Sequence, residues 1–174
     1  MNKKITSLEV LLVIGILISL FLLYEHFSPS ASKYCTFGES FDCGIVNKGP
    51  YANIDGFSYL LSIDYGLPLP LIDLTRYGWF ADLITANSFL AALILLFTFC
   101  LVRAFKRNTS CMFVAREKTL PWIRGILTVS VIYGLYLIYI QHFILKTYCI
   151  FCLGLDVVLI AAFIIAWRIN GGKK

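Results

Sequence analysis

The chain reads Lys146-Thr-Tyr-Cys149-Ile-Phe-Cys152-Leu-Gly-Leu-Asp156 where a short polar break turns into its last apolar run. If that run is a membrane helix, a Cys-x-x-Cys pair lies at its start and a carboxylate lies one turn deeper. Cys149, Cys152 and Asp156 are spaced i, i+3 and i+7, which predicts that all three project from one helix face. We therefore expect this face to lie beside a group that accepts electrons.

The composition is that of a membrane protein. Hydrophobic residues make up 59% of the 174 residues and charged residues only 14%, with a mean hydropathy of +0.81. Soluble domains carry about 25% charged residues. The net charge of +5 would suit nucleic acid only if the basic residues formed one patch. They follow the membrane topology instead, so nucleic-acid binding is not expected.

Four apolar runs are long enough to cross a bilayer as helices, which takes about 20 residues. They cover about 8–27, 81–102, 125–145 and 149–167. The sequence therefore predicts an all-α integral membrane protein, a four-transmembrane-helix bundle in which residues 1–174 form a single domain. The first run also has features of a cleaved signal peptide, but it exceeds the usual apolar core of such peptides, and we expect it to remain as a span.

Basic residues set the expected orientation in the cell membrane. Eleven of the fifteen lie on one side of the four runs, which the positive-inside rule makes cytoplasmic. Both termini are then cytoplasmic, and the loop 28–80 is extracytoplasmic. The eleven residues are Lys3, Lys4, Arg103, Lys106, Arg107, Arg116, Lys118, Arg124, Arg168, Lys173 and Lys174.

The loop 28–80 is rich in glycine and proline, which favour turns. Its apolar patches, 57–63 and 67–74, are too short to span a bilayer. We expect them to lie along the membrane surface as small helices that cap the bundle.

The Cys149/Cys152 pair is suited to thiol–disulfide exchange. Backbone N–H groups and the dipole at a helix N-terminus stabilise a thiolate, the species that attacks a disulfide. A structural disulfide is the alternative. A second alternative, in which Cys149 and Cys152 are two of the four ligands of a zinc ion, is disfavoured. Cys35 and Cys43 are separated by seven residues and not by the two to four that are typical of a second ligand pair. No metal is therefore expected.

Cys35 and Cys43 form a second pair on the same side of the membrane, where disulfides persist. An exposed disulfide near a second dithiol is well placed to relay electrons. With no haem or flavin motif in the chain, a quinone of the ubiquinone or menaquinone type is the simplest acceptor. Cys100 and Cys111, by contrast, are expected to be an apolar helix residue and a reduced cytosolic thiol.

Two polar side chains are candidates for contacting the quinone. Asp156 is ionisable inside a membrane helix, which indicates function by default, although a protonated carboxyl bonded to a neighbouring helix is the alternative. Tyr139 belongs to a stripe with Tyr133 and Tyr136 that either packs helices or forms an aromatic wall for a flat ligand. His26 and His142 lie at outer helix ends, where they could stabilise thiolates or simply reach water.

These features together resemble the vitamin K epoxide reductase family. The resemblance rests on four spans, the spacing of Cys35 and Cys43, Tyr-Cys149-Ile-Phe-Cys152-Leu-Gly on the last helix, and loop segments 43–51 and 65–70. It covers nearly the whole chain. Other quinone-linked disulfide generators have their Cys-x-x-Cys in the first exported loop, which argues against them.

The resemblance implies a role for each cysteine. Cys35 and Cys43 would be the shuttle pair that meets a separate thioredoxin-like protein, and Cys43 would pass electrons to Cys149, leaving Cys152 to face the quinone. Asn87 resembles the asparagine that holds the substrate oxygen in animal members. Asp156 stands where those members carry a tyrosine, and Gly49 where a serine is common.

The sequence thus predicts an enzyme, a quinone-dependent thiol oxidoreductase that supports disulfide formation. Two alternatives remain open. The first is reduction of vitamin K epoxide itself, and the second is a non-enzymatic membrane protein whose disulfides only staple its outer loop.

Overall fold

The computed structural model describes residues 2–28, 35, 36, 40–111 and 114–169 of the chain. Regular structure in these ranges is helical, apart from isolated bridges between single residue pairs. The α-helices are α1 (Asn2–Phe27), α2 (Cys43–Lys48), α3 (Gly56–Tyr59), α4 (Trp79–Thr85), α5 (Asn87–Arg107), α6 (Thr119–Tyr139) and α7 (Ile150–Trp167). Helices α3 and α6 continue as π-helical turns, Leu60–Asp64 and Ile140–Leu145.

Four of these helices are long and apolar enough to cross a bilayer. The shortest span has 18 residues, about 27 Å of helix, close to the thickness of the hydrocarbon core. The predicted four-span fold is confirmed, and the chain is a multi-pass membrane protein. The spans are Lys3–Phe27, Asn87–Arg107, Arg116–Leu145 and Ile150–Trp167.

The spans form one bundle in which α1 packs against α5 and α7, and α6 packs against the same two helices. Leu12, Leu101 and Leu127 are fully buried between them. Small residues allow α7 to approach its neighbours closely, because Ala162 and Ala166 are also fully buried.

The second span begins later than the sequence predicted. A single helix was expected from about residue 81, but the chain breaks at Ala86 and separates α4 from α5. A backbone pairing holds the break, since the N–H of Ile54 donates to Thr85 O at 3.0 Å and the N–H of Asn87 donates to Ala52 O at 2.9 Å. The loop therefore decides where α5 begins.

The loop cap is only partly helical. Residues 56–64 form α3 and its π-helical turn, as expected for the first apolar patch. The prediction of a helix for the second patch is wrong, because residues 66–73 form no helical turn and only Leu74–Tyr77 forms a 3-10 turn. Pro68 and Pro70 explain this, since each lacks the N–H that a helix needs.

The two ends of the bundle differ in charge. At one end, called the basic end, Glu9 pairs with Lys106 at 2.6 Å and Arg103 at 3.4 Å. The Arg124 guanidinium there donates to Ala166 O and Ile169 O, capping the C-terminus of α7. The opposite end, where α7 begins and the cap lies, is called the loop end.

Candidate redox site

Cys149 is the N-cap of α7 and not a residue within that helix. Its Sγ accepts a hydrogen bond from the Cys152 N–H at 3.1 Å. The sulfur therefore lies against the N-terminal N–H groups, which stabilise negative charge on it. The prediction that Cys149, Cys152 and Asp156 share one helix face is therefore only partly confirmed. Cys152 and Asp156 both line one cavity, whereas Cys149 does not.

Gln141 fixes the start of α7 from the neighbouring helix. It lies in the π-helical turn that ends α6 and is only 1% exposed. Its Oε1 accepts from the Cys149 N–H at 2.8 Å, and its carbonyl oxygen accepts from the Thr147 N–H at 3.2 Å. Turns of this type often mark functional sites, because the extra residue re-aims a side chain.

Residues 40–42 of the loop reach the start of α7 through a short backbone pairing. The Asp42 N–H donates to Tyr148 O at 3.1 Å, and the Tyr148 N–H donates to Ser40 O at 3.0 Å. The Asp42 side chain then caps α2 by accepting from Gly44 N at 2.7 Å. Cys43, the first residue of α2, is thereby placed beside Cys149.

Three sulfurs meet at this point. The Sγ atoms of Cys35, Cys43 and Cys149 all lie within 4.8 Å of one another, and all three residues are fully buried. Cys35 is bonded to Cys43, and Cys149 to Cys152. Sulfurs at this separation could also hold a soft metal ion if they were thiolates. As disulfides they are instead placed for exchange.

Cys152 opens onto a cavity of about 280 Å³ between the helices. Its walls come from α1, α2, α5, α6 and α7 and are mainly apolar, which is typical of a small-molecule site. A few polar side chains interrupt the apolar lining. They are Asn47, Tyr51, Asn87, Ser88, Ser130, Tyr133, Gln141 and Asp156.

Asp156 faces this cavity from one turn below Cys152. It is 9% exposed, and its carboxylate makes no hydrogen bond to any residue that the structure describes. Gly134 of α6 provides the room for it, since a Cβ at that position would lie 3.2 Å from Asp156 Cγ and closer still to Oδ1. The predicted alternative, a carboxyl bonded to a neighbouring helix, is not what the described residues form.

Asn87 is the first residue of α5, and it holds a tyrosine at the cavity wall. Its Nδ2 donates to Tyr51 O at 2.9 Å, and its Oδ1 accepts from the Tyr133 hydroxyl at 2.7 Å. The Ser88 Oγ beside it is buried and has no hydrogen-bond partner within the described ranges. Asn87 thus sets the direction of Tyr133, and Ser88 offers an unused polar atom.

Tyr51 also lines the cavity, and its hydroxyl bonds to Asp64. Burial raises the pKa of Tyr51 above its ordinary value, and the hydrogen bond to Asp64 raises it further. The hydroxyl therefore keeps its proton and ties the start of the cap to the π-helical turn after α3.

Tyr139, predicted to contact the quinone, does not line the cavity. Its hydroxyl is 2.7 Å from the Tyr65 hydroxyl in the cap, and its ring packs on Phe143. Geometry explains the difference, because six residues of helix turn through about 600°, which leaves Tyr139 well away from the direction of Tyr133. Tyr133 takes the place on the wall that was expected for Tyr139.

Neither histidine contacts a sulfur in the described structure. His26 lies between the Asn47 carbonyl oxygen and Asp82, and His142 Nδ1 is 2.5 Å from the Tyr148 hydroxyl. Within the described residues, both histidines therefore contact the segments that carry the cysteines.

The expectation for Cys100 and Cys111 was wrong. They were expected to be separate and unremarkable, but they form a disulfide at the basic end. Cys111 follows the end of α5 and is buried in the main core. The pair closes the loop after α5, whereas the other four cysteines lie at the loop end.

Three contributors were not identified from the sequence as site residues, namely Glu25, Asn47 and Gln141. Glu25 and Gln141 are polar side chains near the end of an apolar run, Asn47 lies within the loop, and all three are buried. Their position in the sequence suggested contact with water. Only the folded cap covers them.

Two neighbouring disulfides in a membrane bundle, one of them opening onto an apolar cavity, define a membrane thiol–disulfide oxidoreductase. The chain belongs to the vitamin K epoxide reductase family, whose model matches residues 7–167. Proteins of that family are quinone-linked oxidoreductases. No curated protein sequence matches the chain.

Proposed function

We propose that this protein oxidises dithiols outside the cytoplasm and passes their electrons to a membrane quinone, supporting disulfide formation in exported proteins. One observation carries the proposal. The sulfurs of Cys35, Cys43 and Cys149 lie within 4.8 Å of one another, and Cys152, bonded to Cys149, lines an apolar cavity. A simple staple would not need a second disulfide at exchange distance.

The first step is exchange with a thioredoxin-like partner. A partner thiolate attacks Cys35 Sγ, breaks the Cys35–Cys43 bond and releases Cys43 as a thiolate. The second partner thiol then displaces Cys35, so the partner loses two electrons and two protons. Cys35 is fully buried here, so this step requires its sulfur to become accessible to the partner.

The second step passes the two electrons from the Cys35/Cys43 pair to the Cys149/Cys152 pair. The Cys43 thiolate attacks Cys149 Sγ, and Cys152 leaves as a thiolate beside the cavity. Cys35 then attacks Cys43, re-forming Cys35–Cys43 and releasing Cys149. The N–H groups at the start of α7 stabilise negative charge on the Cys149 sulfur, which favours its release in this last exchange.

The cavity residues suit a quinone headgroup. The Ser88 hydroxyl, which has no partner among the described residues, can donate a hydrogen bond to a quinone oxygen, while Tyr133, whose hydroxyl hydrogen is donated to Asn87, contributes to the mainly apolar wall. A bound quinone would supply the two-electron, two-proton acceptor for the Cys149–Cys152 dithiol. Asp156 lies on the same wall as Cys152 and makes no hydrogen bond to the described residues, so it can hold a proton there.

The test is quinone reduction by purified protein supplied with a reduced thioredoxin-like dithiol protein. We expect turnover with the unaltered chain and loss of it in Cys152→Ala, while a mixed disulfide between Cys43 and Cys149 accumulates. If Cys152→Ala turned over normally, or if no mixed disulfide could be trapped, the cysteines would be staples. Adding an epoxide as the oxidant in the same assay distinguishes epoxide reduction from quinone reduction.

A further inference from the structure

The helix that carries Cys43 is too short to hold itself in place. Helix α2 has six residues, and isolated helices of fewer than about 12 residues are marginal in water. Its N-terminal end is fixed by the pairing of residues 40–42 with Tyr148. The contacts of its C-terminal end therefore decide whether Cys43 keeps its direction.

Those contacts converge on Glu25, in the last turn of α1. Glu25 is fully buried. Its Oε2 accepts from Asn47 Nδ2 at 2.5 Å, and its Oε1 lies 3.8 Å from Lys48 Nζ. Asn47 Nδ2 also donates to Leu22 O at 2.6 Å. Both amide hydrogens of Asn47 are thus used on α1, and Glu25 accepts one of them.

His26 adds a second contact from the same turn. Its Nδ1 lies 2.5 Å from the Asn47 carbonyl oxygen, and its Nε2 lies 3.1 Å from Asp82 Oδ1. That same carboxylate oxygen accepts from Asn53 Nδ2 at 2.7 Å. Both partners of the imidazole are oxygen atoms on other elements of the loop end. The network joins α1, α2 and α4 at the loop end.

A carboxylate buried in this way is costly unless it is paired and hydrogen-bonded. Nothing in the cysteine chemistry requires Glu25, since it does not line the cavity. Its described partners, Asn47 and Lys48, both belong to the last turn of α2.

Given the proposed function, we propose that Glu25 is a positioning residue for exchange between Cys43 and Cys149. By accepting from Asn47 it anchors α2 and keeps the Cys43 sulfur at attack distance from Cys149. Exchange is steeply sensitive to geometry, because a misplacement of about 1 Å can cost on the order of 100-fold in rate.

The test compares Glu25→Met, which has a similar size but no acceptor, with Glu25→Gln, which keeps an oxygen for Asn47. Both are placed in a Cys35→Ala/Cys152→Ala background, where Cys43 and Cys149 are the only thiols left at the loop end. Equilibration with oxidised and reduced glutathione then gives the effective concentration of one thiol at the other. The reaction converts two protein thiols and one glutathione disulfide into a protein disulfide and two glutathione thiols.

We expect Glu25→Met to lower this effective concentration by at least about tenfold, as misplaced thiols should, and Glu25→Gln to leave it nearly unchanged. Equal values in the two variants would overturn the inference. Should Glu25→Met fail to accumulate as folded protein, Asn47→Leu removes the amide that donates to Glu25 and is judged by the same criterion. This measurement needs no quinone, so it stands even if the quinone assay fails.

In the otherwise unaltered chain, quinone reduction adds a second readout. A small membrane-permeant dithiol that reduces Cys149–Cys152 directly bypasses Cys43. Glu25→Met should slow turnover with a protein dithiol about tenfold or more and leave the bypass rate unchanged. An equal loss with both donors would indicate a purely structural role and overturn the inference. Failure of the unaltered chain with both donors would instead count against the proposed function.

Discussion

At the scale of single residues, the site depends on which polar atoms are left without partners. Most buried polar atoms in a folded protein are hydrogen-bonded. The Ser88 Oγ has no partner, and neither does the Asp156 carboxylate, among the residues that the structure describes. Both line the cavity beside Cys152. Unused polarity next to a redox sulfur is what a ligand with polar oxygens would satisfy.

The space that Gly134 leaves for the Asp156 side chain gives a prediction for single residues. Gly134→Ala should destabilise the protein by about 1–3 kcal/mol, because the new Cβ overlaps the carboxylate. Most of that loss should disappear in an Asp156→Ala background, where the Cβ has room. Thermal unfolding in detergent measures both effects.

Gly125→Ala is the matched control on the same helix, since a Cβ there meets nothing within 4 Å. A penalty at Gly134 that persists without Asp156 would show that the glycine serves packing and not the carboxylate.

At the scale of elements, the start of α7 is positioned from outside that helix. Cys149 is an N-cap whose N–H bonds to Gln141 on the π-helical turn after α6. The preceding residue, Tyr148, pairs with residues 40–42 of the loop. Cys149 is therefore located by two other segments, and the helix supplies only the N–H groups that its sulfur faces.

Gln141→Leu should cost about 1–3 kcal/mol, because it leaves the buried Cys149 N–H without an acceptor. It should also slow quinone reduction by displacing the Cys149 sulfur. Gln141→Glu keeps an acceptor oxygen at the same position and should retain more of both properties. Chemical denaturation and the quinone assay are the measurements, and equal behaviour of the two variants would contradict the role given to Gln141.

At the scale of the whole molecule, the bundle separates two kinds of disulfide. Cys35–Cys43 and Cys149–Cys152 lie at the loop end, and Cys100–Cys111 lies at the basic end of α5. Cys100 is 13 residues beyond the first residue of α5, about 20 Å along that helix. The Cys100–Cys111 disulfide therefore lies toward the opposite end of the bundle from the other two pairs and closes the loop after α5.

The orientation of the bundle can be tested with single introduced cysteines in a chain whose own six are replaced. Tyr77→Cys, at an 81% exposed position of the cap, should react with a membrane-impermeant maleimide in intact cells. Arg107→Cys, at the basic end, should react only after the membrane is opened. The reverse pattern would place the redox site on the reducing side and contradict the proposed function.

The sequence by itself determined the four spans, and it predicted the two cysteine pairs at the loop end and the orientation of the bundle. Span length, apolar content and cysteine spacing are local properties, and a bilayer leaves the backbone few alternatives to a helix. The Cys-x-x-Cys at the start of α7 could be placed for the same reason. Local periodicity also predicted a shared face for Cys152 and Asp156, and both do line one cavity.

Only the tertiary structure decided which polar side chains belong to the site. Tyr133 rather than Tyr139 lines the cavity, Ala86 breaks the second span, and Glu25 is buried beneath α2. Each of these depends on how the cap folds back over the helix ends, through contacts between residues far apart in sequence. Pattern and propensity describe neighbours along the chain, whereas the burial of a polar group is set by whatever is packed over it.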